Sequence, residues 1–310
     1  MRRKIIKQKT AYTITLPIKW VRDHNLTGSE EIELSEQNNA LILSTEKQPS
    51  QQEVEIHLEK GIPHYYRILI ENQYLRGTDV VNVSFDELDA LNTIQEVVSN
   101  LIGFEIVEQD KNHCRVSETA MPTTQEFSRI LNRLFNVIKY AQELMLEELD
   151  KNSFNNMQIF DKLISDTRRF SLFCRRTVHK QNIVSRVDEV FLDLLLERLV
   201  IIAYETYFLY QRLHSLDNKK EKINSQVINF YKETCDFFQL FSEMYFRKKT
   251  SSFAKINDVW EELYFKKGPV LFKGANDKEA MIVYHAMTLA KLVFLVAQPN
   301  TVLADTGMRL

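Results

Sequence analysis

The spacing of apolar positions divides the chain into three stretches. Beyond residue 123 the period is helical: Phe127, Ile130, Leu131, Leu134, Phe135, Ile138, Ala141, Met145 and Leu149 recur at i, i+3, i+4 and i+7, which predicts an amphipathic helix over 123–150. Thr123 or Thr124 offers its N-cap hydroxyl. Similar stripes run through 156–180, 184–214, 222–249, 252–266 and 277–298, separated by polar turns such as Leu216–Lys220 and Lys273–Asp277. Residues 123 to 267 contain neither glycine nor proline, so no strong breaker interrupts them. Short links between long helices imply antiparallel neighbours. The segment 123–310 therefore reads as a six-helix bundle, with lengths that suggest two three-helix units, 123–214 and 222–298.

Residues 52–121 alternate the two periods. Strand patterns at Glu53–Leu58, Asp79–Ser84, Phe104–Glu108 and Cys114–Ser117 enclose helical ones at His64–Leu75 and Asp86–Leu101, which predicts a small α/β domain. Residues 1–48 form a third kind of unit, with short β-rich runs at Lys4–Lys7, Tyr12–Leu16, Glu31–Leu34 and Leu41–Ser44 around one helix, Ile18–His24. Pro17 suits the first position of that helix, where a missing N–H costs least. Asn38-Asn39 is expected to turn the second hairpin. The fold class is thus α+β and mostly α, with boundaries at Pro49–Gln52 and Met121-Pro122. A unit of fewer than ~50 residues with so few apolar positions needs help to fold, and an interleaved homodimer supplies it.

The most apolar stretch, Met281–Ala297, is interrupted by His285 and Lys291 and followed by Pro299. It falls short of the ~20 residues of a membrane span and is expected to be a buried core helix, without membrane insertion. Cys114, Cys174 and Cys235 are widely separated and form no metal-ligand spacing, as expected for idle thiols in a reducing, cytoplasmic setting.

Charge changes this picture more than composition does. The formal net charge over 310 residues is only −2, yet residues 1–25 carry Arg2, Arg3, Lys4, Lys7, Lys9, Lys19 and Arg22 against Asp23 alone. That segment is +6 and the remainder −8. Strand alternation places Lys7 and Lys9 on one face and separates Tyr12 from Thr13 and Thr15. Doubled in a dimer, such a surface suits DNA phosphates. The same lysines also suit a plain solvated face or a guarded sheet edge.

Catalytic signatures are missing. No phosphate-cradling glycine loop, nucleophile elbow or zinc-binding His pair is present, so the chain does not read as an enzyme and no cofactor is expected. His285, on an apolar face, reads as a satisfied core residue. Asp161 and Asp166 are five apart and splay, while Glu143 and Glu147 flank the apolar stripe. Glu147-Glu148 reads as a solvated face.

Several runs carry a resemblance that spans nearly the whole chain. Arg3-Lys-Ile-Ile6, Thr10-Ala-Tyr-Thr-Ile-Thr-Leu-Pro-Ile-Lys-Trp20, Leu26-Thr-Gly28, Ile32-Glu-Leu34 and Leu41-Ile-Leu43 resemble the AbrB/SpoVT swapped-hairpin DNA-binding domain. Arg67-Ile-Leu-Ile70, Tyr74-Leu-Arg-Gly-Thr-Asp79 and Asn100-Leu-Ile-Gly-Phe-Glu-Ile-Val-Glu108 are similar to the connecting region of archaeal proteins that join such a head to a PhoU-like helical domain. The resemblance implies a cytoplasmic, homodimeric DNA-binding regulator of phosphate uptake, dimerising through 1–48. A phosphate-transport or signalling protein would be a further partner. Arg2, Arg3, Lys4, Lys7, Lys9 and Lys19 would contact phosphates, and Tyr12, Thr13 and Thr15 would add polar contacts.

The chain departs from the family in two places. Lys7-Gln-Lys9 replaces the glycine-containing residues common before the Thr-Leu-Pro strand. PhoU-like domains carry paired carboxylates that hold a metal cluster. Here Asp166-Thr-Arg-Arg-Phe170 and Glu197-Arg-Leu-Val-Ile201 keep only the first of each pair. Hard cations need several oxygen ligands, so no metal is expected, and Asp166 and Glu197 are expected to pair with Arg168, Arg169 or Arg198.

Overall fold

A computed structural model of the chain describes residues 3–28, 31–37, 40–45, 52–61, 63–121, 123–181, 183–216, 221–247 and 253–305. Its contacts separate two units, Met1–Gln51 and Gln52–Leu310. The chain is mostly helical with small sheets.

The described residues of the first unit form two hairpins and one helix. Strands β1 (Ile6–Gln8) and β2 (Ala11–Thr13) pair antiparallel, with Gln8 opposite Ala11, so only Lys9 and Thr10 form the link. Lys9 has φ +50, a left-handed conformation that β-carbon-bearing residues adopt at a cost. Helix α1 (Ile18–Asp23) starts at Pro17, which occupies the capping position rather than the first helical one; its carbonyl accepts from the Val21 amide at 3.0 Å. Asn25 at φ +53 and Gly28 at φ +102 turn the chain out of α1. Strands β3 (Ile32–Gln37) and β4 (Ala40–Thr45) form the second hairpin, with Gln37 opposite Ala40. The expected Asn38-Asn39 turn and the linker prolines Pro49 and Pro122 lie outside the described residues.

The second unit begins with a four-stranded sheet in the order β5-β6-β8-β7. Strand β5 (Glu53–Leu58) runs parallel to β6 (Val80–Phe85), joined through α2 (Pro63–Leu75). Helix α3 (Asp89–Ser99) leads to the hairpin of β7 (Phe104–Gln109) and β8 (His113–Glu118). Val81, Val83, Cys114 and Val116 of the sheet pack with Ile70 and Tyr74 of α2 and Ile94 and Val98 of α3 in one core, which Leu172 of the helical region joins.

Among the described residues, six long helical segments follow. Helix α4 (Thr124–Lys151) opens on a capping box: Thr123 accepts from the Glu126 amide at 3.2 Å, and the Glu126 carboxylate accepts from the Thr123 amide at 3.0 Å. Then come α5 (Met157–Gln181), α6 (Arg186–Ser215), α7 (Ser225–Arg247) and α8 (Phe253–Glu261). A π-helical turn, Glu262–Lys267, and the short α9 (Gly268–Gly274) continue α8 before α10 (Asp277–Asp305). One contiguous core draws residues from both expected three-helix groups, with Phe135 stacked against Phe238 and Tyr245.

Helix α10 is the expected core helix but runs further than Met281–Ala297. Asp277–Pro299 is long and apolar enough, by length and composition, to cross a membrane, and Pro299 lies inside the helix rather than ending it. Proline has no N–H for the Leu295 carbonyl four residues back. The Arg198 guanidinium donates to that carbonyl instead, which makes the proline tolerable. Ile282, Val283, Leu289, Val293 and Val296 of this helix are buried in the helical core.

Candidate nucleic-acid interface

Among the described residues of the first unit whose side chains are also described, none is buried. Arg3 and Lys4 precede β1 and are exposed, and Lys7 stands in mid-strand directly opposite Tyr12. Opposed residues on paired strands share a face, so the hairpin brings a cation and an aromatic phenol together there. Thr13 lies on the other face, opposite Ile6, and donates its hydroxyl to the Ile6 carbonyl at 3.4 Å. Thr15 is exposed beyond the end of β2, and Lys19 is exposed on α1. Arg2 lies outside the described residues.

The expected pairing of Lys7 with Lys9 is corrected. Lys9 sits in the two-residue link, where strand alternation no longer governs direction. Among the described residues, none of Arg3, Lys4, Lys7, Lys9 and Lys19 pairs with a carboxylate. Their charge is therefore available to an external polyanion. Ile5, Ile6, Tyr12, Ile14 and Ile18 stand exposed beside them, from 50% to 69%. Trp20 stacks on His24 at 4.5 Å, and His24 Nδ1 lies 2.8 Å from the Trp20 carbonyl, which fixes the end of α1.

The carboxylates of the helical region have other partners than expected. Asp166 pairs with Lys162 at 3.0 Å, one turn back on the same face, and Glu197 lies 3.8 Å from Arg175. Arg168, two residues after Asp166, points round the helix from it and binds Glu71 of α2 instead. Glu148 is buried rather than solvated. Its Oε1 accepts from the Asn156 side chain at 2.9 Å, and its Oε2 lies 3.3 Å from both the Asn155 amide and the Tyr210 hydroxyl. The connection after α4 folds back over the last turn and supplies the two asparagine donors, and α6 supplies Tyr210; Glu147, one residue earlier, stays outside and pairs with Lys151 at 3.3 Å. His285 is half satisfied: Nδ1 lies 2.7 Å from Glu205, while Nε2 is buried without a partner among the described residues. Also among the described residues, no three His, Cys, Asp or Glu side chains gather as a metal site.

Sequence reasoning missed a polar seam where α5 meets the α/β module. Arg176, 1% exposed, donates to the carbonyls of Tyr74 at 2.5 Å and Thr78 at 3.0 Å and to Glu118 at 2.9 Å, with its guanidinium over the rings of Tyr74 and Phe104. Lys180 joins Glu118 to Asp79. Nearby, Asp193 accepts from Arg175 at 2.7 Å and lies 3.1 Å from His179 Nε2. Burial opposes ionisation of Asp193, but the bonds from His179 and Arg175 outweigh it and hold the carboxyl down at about 2. The reciprocal bond to Asp193 raises His179 against its own burial. Burial also raises the Cys114 thiol to about 11, which keeps it protonated. The signal of this seam in the sequence was a pair of arginines, Arg175-Arg176, set within the apolar run Phe170–Val178.

Comparison of the chain with protein-family models, with curated proteins and with solved structures finds no match.

Proposed function

We propose that the chain is a homodimeric DNA-binding regulator. Residues 1–48 form an AbrB/SpoVT-type head that grips DNA, 52–121 connect, and the PhoU-like helical domain 123–310 serves as the effector or partner module. Cytoplasmic control of phosphate uptake is the process that the resemblance suggests, and the reading is non-enzymatic.

One observation carries the proposal: among the residues of the first unit whose side chains are described, Arg3, Lys4, Lys7, Lys9 and Lys19 are exposed without a carboxylate partner beside uncovered isoleucines, and none is buried. A unit without a core of its own is stabilised by a second copy, which doubles the positive surface. Tyr12 and Lys7, facing together, give that surface a polar contact beside a phosphate clamp.

Gel-shift titration against salt tests this. With ~6–10 phosphate contacts, affinity is expected to fall ~10³–10⁵-fold between 50 and 200 mM salt. Lys7→Ala/Lys9→Ala should weaken binding and flatten that slope. Binding indifferent to both the salt and the double substitution would overturn the proposal.

The same lack of buried side chains favours a second reading, in which the head only dimerises and the helical domain is an adaptor for a phosphate transporter or sensor kinase. A chain of residues 52–310 separates the two. If it is monomeric yet still captures such a partner, and the full chain shows no DNA affinity, the adaptor reading stands.

A further inference from the structure

A polar cavity of about 220 Å³ lies between α2, α3, α5 and α6, entirely within the second unit. We propose that it binds a small oxyanion, a phosphoryl or carboxylate group free or on a small metabolite, through Arg169. Tracing the charges that line it leads to that residue. Arg168 is spent on Glu71, with its Nε 3.0 Å from Oε1 and a second bond to Oε2. Arg67 is spent on Glu96 at 2.5 Å. Arg169 stands beside Arg168 on the same wall. Its guanidinium has no hydrogen bond or ion pair among the described residues, and its Nε is buried without a partner.

The third carboxylate of the lining does not neutralise it. Asp161 is exposed and accepts from the Tyr207 hydroxyl at 2.7 Å, eight residues earlier on α5 and so ~12 Å away along the helix axis. Neutral groups complete the wall: the Ser165 hydroxyl, 3.1 Å from the Asn100 side-chain oxygen, and the Tyr204 hydroxyl, 3.5 Å from Arg168. A guanidinium offers forked donors that match the oxygens of phosphate or carboxylate. A partly buried cation without acceptors is costly, and a bound oxyanion supplies them. At ~30 Å³ per water, the cavity has room for an anion together with some of its hydration or a short organic tail. The site does not depend on the head binding DNA.

Isothermal titration of the full chain with inorganic phosphate, pyrophosphate, sulfate, glycerol 3-phosphate and citrate tests the site. At least one is expected to bind with a Kd below ~1 mM. Preference for glycerol 3-phosphate or citrate over the inorganic ions identifies a metabolite end rather than a free ion. Arg169→Gln should weaken binding by ~10-fold or more, while Lys7→Ala/Lys9→Ala, which removes charge from the head, leaves it unchanged. Should Arg169→Gln prove unstable, the Arg169 Nε–H signal of the unmodified protein reads the contact directly and should move on titration. The proposal is overturned if no anion binds tighter than ~10 mM, if Arg169→Gln binds as well as the unmodified chain, or if the Arg169 signal stays still while others in the head shift.

Discussion

In Gln52–Leu310 an arginine is buried with all three guanidinium nitrogens engaged; in Met1–Gln51 Ile5, Ile6, Ile14 and Ile18 are each at least half exposed. The contrast shows what each unit needs in order to fold. A body with a contiguous core can take a charge out of water, provided every donor finds an acceptor. The described residues of the head form two hairpins, with strands of three to six residues, and a six-residue helix, and none of their described side chains is buried. The same small size keeps its described cations accessible.

The largest expected effect tests the buried charge. Arg176→Ala leaves the Thr78 carbonyl without its guanidinium donor, the Tyr74 carbonyl with the Gly77 amide alone, and Glu118, 8% exposed at its side chain, without its arginine. A loss of about 3–5 kcal/mol is expected from urea denaturation. A loss under about 1 kcal/mol would mean that the seam is not what holds α5 to the sheet.

Packing density comes next. A β-carbon at Gly268 would lie 2.6 Å from Met287 Cγ and Sδ and 3.0 Å from the Leu263 carbonyl. Gly268→Ala should therefore cost about 1–3 kcal/mol, whereas Gly274→Ala, with open space around it, serves as the control. Equal costs for the two would show that the π-helical turn yields freely.

Titration probes the seam more gently. The carboxyl of Asp193 is held at about 2, below its unfolded value, so its contribution is complete above about 4 and is lost as pH falls towards 2. His179 is raised, so its contribution is complete below about 6.5 and is lost as pH climbs through the folded value. The unfolding free energy from urea denaturation should therefore decline on both sides of a plateau at mildly acid pH, by on the order of 1–2 kcal/mol on the acid limb. Asp193→Asn should flatten both limbs; limbs that persist in it would assign them to other groups.

The smallest effect belongs to the head. Lys9 holds φ +50 in its two-residue link, a conformation that glycine adopts without strain. Lys9→Gly should raise the thermal stability of the head by up to about 1 kcal/mol while weakening DNA binding. A destabilised head would show that Lys9 contributes through a contact instead.

How much was legible in the sequence varied with the range of the interaction. Helix α4, with its Thr123 cap and its stripe from Phe127 to Leu149, follows from local periodicity, and β5 spans the residues expected of it. Glu148 escaped because its neighbour Glu147 shares the same local pattern, and only the chain folding back through Asn155 and Asn156 separates them. The candidate DNA contacts were visible as a cluster of charge, but the pairing of Lys7 with Tyr12 in place of Lys9 depended on where the hairpin turns.

By itself, then, the sequence determined the helical stretches, the alternation of strand and helix before them and the uneven placing of charge, since each rests on contacts within a few residues. Which arginine met which carboxylate was decided only by tertiary structure. Arg168 binds Glu71, 97 positions away, and Arg198 serves the carbonyl that Pro299 leaves open. A buried guanidinium is satisfied by whatever acceptors the packed helices bring within about 3 Å, and sequence spacing carries no record of that distance.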